Sequence, residues 1–180
     1  MASGATFGST LLASFHLSIA GQQTTWLLNP VPGPQSGPLE AYSFPIKIRG
    51  VVDRIDEFDG VTRIIDYKTG KVNAADLKVL NFEEIQTVKY SKAIQILLYA
   101  FLYSQNNSLK TKPSLQAGII SFKNLKGGLL KINFSSKVKN PDYSITEEKL
   151  QEFMEQIKLL LQEIYNPEIP FKEPKTLSYS

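Results

Sequence analysis

The dipeptide Asp59-Gly60 stands between two short runs of β-branched residues, and it constrains the fold of this chain more than any other feature. Asp-Gly in such a position is the strongest short-range signal of a β-hairpin with a two-residue turn. If these two residues alone form the turn, Phe58 faces Val61, and the residue numbers of every directly opposed pair have the same sum. The segments on either side of the turn are therefore predicted to be antiparallel strands in one fixed register.

This register places Asp53 opposite Asp66. The Cβ atoms of directly opposed side chains lie roughly 5 Å apart, and two like charges there are destabilising unless something neutralises them. Because side chains alternate along a strand, we expect Lys68 on the same face as Asp66 and Tyr67 on the other face. Two carboxylates and an ammonium group are thus predicted to converge, and a divalent cation is the obvious neutralising group.

Carboxylate oxygens suit Mg²⁺ or Mn²⁺, which keep several waters and take further ligands from a substrate phosphate. A lysine beside such a metal can orient or deprotonate an attacking water and can stabilise negative charge in the transition state. The alternative is that Asp53 and Asp66 are ordinary surface charges, exposed or paired with Arg54, Arg63 or Lys68, because D-x-K is a short and common pattern. The apolar neighbours of Asp66 on both faces of its strand weigh against this alternative.

Beyond the first hairpin, the sequence predicts two helices and two more strands. Apolar residues recur at helical spacing over 90–104 and again from Thr146, which lies in a helix-capping environment. Between these helices, 115–122 and 129–134 read as strands joined by a glycine-containing turn. Two hairpins and two flanking helices indicate an α/β domain with a central mixed or antiparallel β-sheet.

The chain has 180 residues, of which 42% are hydrophobic, enough for one compact domain over 1–180. We expect a core over 46–165 and a C-terminal extension over 166–180. The sequence leaves 1–45 open: a proline-rich loop at 29–38 follows a segment compatible with a helix, a strand or a tail left by cutting a longer protein.

Composition excludes some classes of site and leaves others open. The chain has no cysteine, so a disulfide or a thiolate metal site is impossible in it. The apolar stretch 11–20 is too short to span a bilayer and lacks the basic residues of a signal peptide, so we expect a cytoplasmic protein without membrane contact. The stretch 108–140 contains seven lysines and no acidic residue, which fits either a solvated face or a nucleic-acid surface.

Three motifs in order resemble those of a known nuclease family. The segments GVVDRID (50–56) and IIDYKTGK (64–71) resemble the GxxDRxD and DYKTGK motifs of RecB-like and AddB-like nucleases in the PD-(D/E)xK superfamily. In the predicted helix, QILLY (95–99) is similar to the family's QxxxY motif. The resemblance covers about 50–99 and implies a restriction-endonuclease-like fold.

The resemblance also implies a metal-dependent catalytic site. Its metal ligands would be Asp53, Asp66 and the backbone carbonyl of Tyr67, and its catalytic residues Asp53, Asp66, Lys68, Gln95 and Tyr99. Gln95 and Tyr99 are four residues apart on one helical face, so both can reach this site or the nearby DNA backbone. Without the resemblance, they would be read as part of a helix packed on the sheet.

The family has a further metal ligand, a Glu or His on an early helix, which this sequence matches poorly. The single histidine, His16, lies at a tolerable distance upstream but lacks the surrounding motif, and a lone histidine among apolar residues is more often structural. Glu40 is another upstream carboxylate, and its place just before a strand suggests a surface role. AddB-like members often have cysteines that bind an iron–sulfur cluster, which this chain lacks.

By resemblance, the chain is expected to be the Mg²⁺-dependent exonuclease domain of a DNA recombination and repair helicase-nuclease. Its partners would then be DNA and either helicase domains or a partner subunit. One alternative is a catalytically incomplete domain of the same fold that binds DNA or docks a subunit. Another is a CRISPR-associated or phage-type RecB-like nuclease, which shares the chemistry in a different pathway.

Overall fold

The structure is a computed structural model that describes residues 13–19, 22–28, 48–106 and 114–172. The α-helices are α1 (Ser91–Asn106) and α2 (Glu147–Ile164). The strands are β1 (Ala13–Ile19), β2 (Gln22–Leu28), β3 (Ile48–Val51), β4 (Arg54–Phe58), β5 (Val61–Lys68), β6 (Leu115–Ser121) and β7 (Leu129–Lys131). Short 3₁₀ helices cover Ala74–Leu77, Phe82–Gln86, Val88–Tyr90 and Phe122–Gly127.

The central sheet has four strands in the order β4-β5-β6-β7. The pairs β4/β5 and β6/β7 are antiparallel, whereas β5/β6 is parallel. The parallel pair follows from the connection, because α1 lies between β5 and β6 in sequence and a parallel pair needs such a long crossover. The predicted mixed sheet flanked by helices is therefore confirmed.

The first hairpin has the predicted register. Phe58 pairs with Val61, and the ladder continues with the same sum of residue numbers as far as Arg54 and Ile65. Both turn residues have positive φ, 51° at Asp59 and 71° at Gly60. Asp and Gly tolerate this backbone conformation better than most residues, which explains why the dipeptide marks the turn.

The second hairpin differs from its prediction in one respect. Strand β7 ends at Lys131 rather than at residue 134: the Ile132 amide still donates to the Ala117 carbonyl of β6, and the residues after it pair elsewhere. The amide of Asn133 donates to the carbonyl of Leu77, and the amide of Val79 donates to the carbonyl of Asn133. Asn133 thus ties the central sheet to the loop that follows β5.

A second sheet has the order β2-β1-β3, with β1 antiparallel to β2 and parallel to β3. Of the alternatives for the N-terminal region, the structure therefore has strands at 13–19 and 22–28. The proline-rich loop 29–38 lies outside the described residues. No helix within the described ranges is long and apolar enough to cross a membrane.

The hydrophobic core lies between one face of the central sheet and the two helices. Helix α1 packs on β5 and β6. Helix α2 packs on α1 and on the 3₁₀ helix Phe82–Gln86, with the Phe153 ring fully buried and 6.4 Å from the Phe82 ring. The core residues that the sheet and α1 contribute include Ile64, Ala117, Ile119, Ala93, Ile96, Leu97 and Ala100. This packing fixes the position of α1 over the end of β5.

Candidate active site

Asp66 and Lys68 lie near the carboxyl end of β5, on the face that α1 covers. Asp66 is only 3% exposed, and the Lys68 Nζ atom lies 2.8 Å from its Oδ2 atom. The Tyr67 ring instead stacks on the ring of Phe122. The alternation of side chains along this strand is as predicted, so the carboxylate and the ammonium group share one face.

One oxygen of the Asp66 carboxylate finds no hydrogen-bond donor within the described part of the chain. Its Oδ2 atom is buried and accepts no hydrogen bond from any residue that the structure describes, since Lys68 Nζ is close but not in hydrogen-bonding geometry. Buried carboxylate oxygens are normally satisfied, and a partly satisfied buried charge is costly. Such an oxygen is a suitable ligand for a hard divalent cation. The chemistry of this carboxylate oxygen therefore fits a metal ligand.

Asp53 lies just beyond the ladder of the first hairpin, which corrects one expectation. The sequence predicts that Asp53 pairs with Asp66. Strand β4 begins at Arg54, however, so the ladder ends at the pair Arg54–Ile65 and does not include Asp53 and Asp66. The physical reason is that the Asp53 side chain takes over the pairing: its Oδ2 atom accepts a 2.8 Å hydrogen bond from the backbone amide of Tyr67. The Asp53 carboxylate is thereby held beside β5, one residue from Asp66, and it remains exposed.

Gln95 and Tyr99 join the site from α1 through a chain of hydrogen bonds. Lys68 Nζ donates to Gln95 Oε1 at 2.8 Å, and Gln95 Nε2 donates to the Tyr99 hydroxyl at 2.8 Å. The two bonds orient the Gln95 amide, because its oxygen faces the Lys68 ammonium group and its nitrogen faces the Tyr99 hydroxyl. The structure thus brings Asp66, Lys68, Gln95 and Tyr99 together, as the QxxxY spacing on one helical face predicts.

The Tyr99 hydroxyl is kept protonated by its surroundings. Burial raises its pKa, and the nearby carboxylates of Asp66 and Asp53 act in the same direction, against the opposing effects of Gln95 and Lys68. The hydroxyl accepts the Gln95 hydrogen bond and keeps its own proton for another acceptor. The Tyr99 hydroxyl therefore enters the site as a hydrogen-bond donor.

Gly50 packs against the ring of Tyr99, a contact that the sequence pattern did not predict. A Cβ atom at Gly50 would lie 2.5 Å from the Cε1 atom of the Tyr99 ring, far inside van der Waals contact. The signal in the sequence is its place at the start of GVVDRID (50–56). Glycine there lets the Tyr99 ring pack against the backbone of β3.

We expect Gly50→Ala to displace the Tyr99 ring and weaken the Gln95 hydrogen bond. Overpacking of this kind costs about 1–3 kcal/mol of stability, and misplacement near a site costs about 10- to 100-fold in rate. Urea unfolding and a DNA cleavage assay measure the two effects. Gly70→Ala is the matched control, since no described residue has an atom within 4 Å of its Cβ position. Equal behaviour of the two variants contradicts the spacing role of Gly50.

The alternative reading of Asp66 as an exposed charge, or as one paired with Arg54 or Arg63, does not hold, whereas its pairing with Lys68 is present at 2.8 Å. Arg54 and Arg63 both pair with Asp56, at 2.6 Å and 2.7 Å. The hydrogen bond from Arg63 is the main cause of the lowered pKa of Asp56, and Arg54 acts in the same direction. These three charges therefore form their own cluster, and Asp66 keeps Lys68 as its cationic neighbour.

The upstream ligand is the least defined part of the site. His16 lies on strand β1, paired with Thr25 of β2 and Arg49 of β3, rather than on an early helix. Its side chain and the whole of Glu40 lie outside what the structure describes, so the role of His16 stays a prediction. Within the described ranges, no three His, Asp or Glu side chains form a group that could hold a metal ion.

A family model described as the PD-(D/E)XK nuclease superfamily matches residues 12–176. The chain belongs to this superfamily. The match spans both sheets and both helices, and it therefore includes the end of β5 where the acidic and basic side chains meet. Nucleases of the PD-(D/E)XK superfamily generally use divalent metal ions, and DNA is the substrate that membership implies. Searches of curated proteins and of solved structures returned no match.

Proposed function

We propose that this PD-(D/E)XK protein is a Mg²⁺- or Mn²⁺-dependent deoxyribonuclease that hydrolyses phosphodiester bonds at the end of β5. The observation that carries the proposal is the buried Asp66 Oδ2 atom, which accepts no hydrogen bond from the described residues and lies 2.8 Å from the Lys68 ammonium group. The proposed metal ligands are Asp66, Asp53 and the backbone carbonyl of Tyr67, with His16 as a candidate fourth ligand.

The side chains of this site have distinct proposed tasks. When bound, a divalent cation supplies Lewis-acid chemistry at the scissile phosphate. Gln95 holds the Lys68 side chain in place and engages one of its three N–H groups, which leaves protons for the attacking water or a phosphate oxygen. Tyr99, kept protonated by burial, orients Gln95 and has one proton to donate to the DNA backbone. Water attacks the phosphorus atom and gives up a proton to solvent, and the P–O bond to the leaving nucleotide breaks as the departing oxygen takes a proton from solvent.

We further propose that the protein is an exonuclease domain of a RecB-like or AddB-like helicase-nuclease acting in DNA recombination and repair in the cytoplasm. Support comes from GVVDRID (50–56), IIDYKTGK (64–71) and QILLY (95–99), which occur in the family's order. In this proposal, 1–180 is one domain with its core at 46–165, and helicase domains or a partner subunit complete the assembly.

The second candidate function is a catalytically incomplete domain that binds DNA or docks a subunit. It is favoured by one observation: among the described residues the candidate site has two carboxylates, Asp53 and Asp66, but no group of three acidic or histidine side chains suitable for a metal. Such a domain would bind DNA and leave it uncut with Mg²⁺ or Mn²⁺.

A cleavage assay on linear and covalently closed circular DNA of the same sequence tests these proposals. An exonuclease needs a free end, so we expect Mg²⁺-dependent release of nucleotides from linear DNA and none from the circle. Chelation of the metal with EDTA is the control, and it should abolish release. Cutting of the circle contradicts the exonuclease proposal, and binding without cleavage in either metal supports the incomplete domain.

A further inference from the structure

The face of the sheet opposite Asp66 carries an exposed aromatic pair. The rings of Tyr67 and Phe122 are stacked, with centroids 5.8 Å apart and an interplanar angle of 16°. Phe122 is nevertheless 53% exposed, so much of its ring faces solvent. Aromatic rings stack favourably on other flat π-systems, and a ring already backed by another ring is held ready to receive one.

The position of this pair is fixed relative to the candidate active site. Phe122 directly follows Ser121, the last residue of β6, which pairs with Lys68 in the parallel ladder. The Ser121 side chain is fully buried and donates a 2.7 Å hydrogen bond to the Gly70 carbonyl. Tyr67 is the residue between Asp66 and Lys68 in the sequence. The aromatic pair therefore lies at the same end of the sheet as the catalytic candidates.

The 3₁₀ helix Phe122–Gly127 adds positive charge beside the exposed ring. Lys123 and Lys126 are exposed, and neither forms an ion pair with a residue in the described ranges. The helix contains no acidic residue, and the surrounding stretch 108–140 has none either. An exposed ring followed by lysines that form no ion pair with the described residues is complementary to a base and its adjacent phosphates.

We propose that Tyr67, Phe122, Lys123 and Lys126 form a stacking platform for single-stranded DNA next to the active site. An unpaired base stacks on the open face of Phe122, and Lys123 and Lys126 contact the neighbouring phosphates. The platform requires a single strand, because bases inside a duplex are stacked on both faces and cannot also stack on a protein ring. Proteins that bind single strands without sequence preference combine aromatic stacking with a basic surface. The inference rests on the proposed function and narrows its substrate to a single-stranded or frayed end.

Binding of fluorescein-labelled oligothymidine, measured by anisotropy in EDTA, tests the platform without cleavage. We expect Phe122→Ala to weaken binding about tenfold, within the range measured for loss of one base–aromatic stack. Phe122→Tyr should restore most of the affinity. Phe58→Ala is the matched control, since this ring is also exposed, at 57%, but lies at the turn end of the hairpin. Wild-type affinity in Phe122→Ala, or an equal loss in Phe58→Ala, overturns the proposal.

An oligonucleotide of abasic sites separates stacking from a general loss of structure. Without bases, Phe122→Ala and the wild type should bind equally, whereas an equal loss on both probes overturns the stacking claim.

The variant Lys123→Gln/Lys126→Gln should reduce the slope of log affinity against log salt by about 1.4, since each contact to a single-stranded phosphate contributes about 0.7. Lys172→Gln, at another exposed lysine, should leave the slope unchanged. An unchanged slope in the double variant overturns the phosphate contacts.

The outcomes for the platform and for the nuclease are distinguishable. Phe122-dependent binding by a protein that cuts no DNA in Mg²⁺ or Mn²⁺ supports the platform and contradicts the nuclease proposal. Metal-dependent cleavage together with unchanged binding by Phe122→Ala supports the nuclease and contradicts the platform.

Discussion

Asp66→Asn is expected to lower the rate of metal-dependent DNA cleavage by about 10³-fold, with Lys68→Ala causing a loss of similar size. The asparagine has nearly the same shape but lacks the negative charge that a divalent cation requires. Removal of Lys68 takes away the cationic group that Gln95 holds next to Asp66. Release of labelled nucleotides from linear DNA, measured under single-turnover conditions, gives both rates.

The matched control for this experiment is Asp59→Asn. It makes the same change on the same hairpin, in the exposed turn at the opposite end, where Asn also tolerates the positive φ. We expect wild-type cleavage from it. If Asp66→Asn and Lys68→Ala release nucleotides at the wild-type rate, the catalytic role of this pair is refuted.

Divalent metal should stabilise the wild-type protein against unfolding and should not stabilise Asp66→Asn. A ligand that binds only the folded state adds about 2.7 kcal/mol to the free energy of unfolding at 100 times its Kd. Urea unfolding with and without Mn²⁺ measures this difference, and calorimetry gives the Kd. The readout does not depend on catalysis, so it tests the metal site alone.

The same experiment in EDTA distinguishes a functional carboxylate from a structural one. Breaking a buried structural ion pair costs about 3–5 kcal/mol. Asp66→Asn should instead leave metal-free stability nearly unchanged. The buried Oδ2 atom accepts no hydrogen bond from the described residues. In the variant, the Lys68 ammonium group can still donate to Gln95 and to solvent, because its side chain is 32% exposed. A loss above about 3 kcal/mol in EDTA would show that Asp66 mainly supports the fold.

Local patterns predicted most of the fold that positions this site. Asp59-Gly60 gave the register from Phe58 and Val61 to Arg54 and Ile65, because a two-residue turn leaves no freedom in the pairing. Helical spacing predicted α1 at 90–104, within two residues of its observed ends, and Thr146 caps α2, its side chain accepting from the amide of Lys149. These features depend on neighbours in sequence, which is why the sequence reveals them.

The sequence alone thus determined which residues meet through local geometry: Asp66 and Lys68 on one face of β5, and Gln95 and Tyr99 on one face of α1. Only the tertiary structure decided how these faces meet, because the packing of α1 over β5 brings the Gln95 amide to the Lys68 ammonium group. It also decided that Asp53 binds the Tyr67 amide instead of extending the ladder, and that Gly50 makes room for the Tyr99 ring. Such contacts join residues far apart in sequence. They depend on side-chain volume and on unpaired backbone groups, which the periodicity of apolar residues does not reveal.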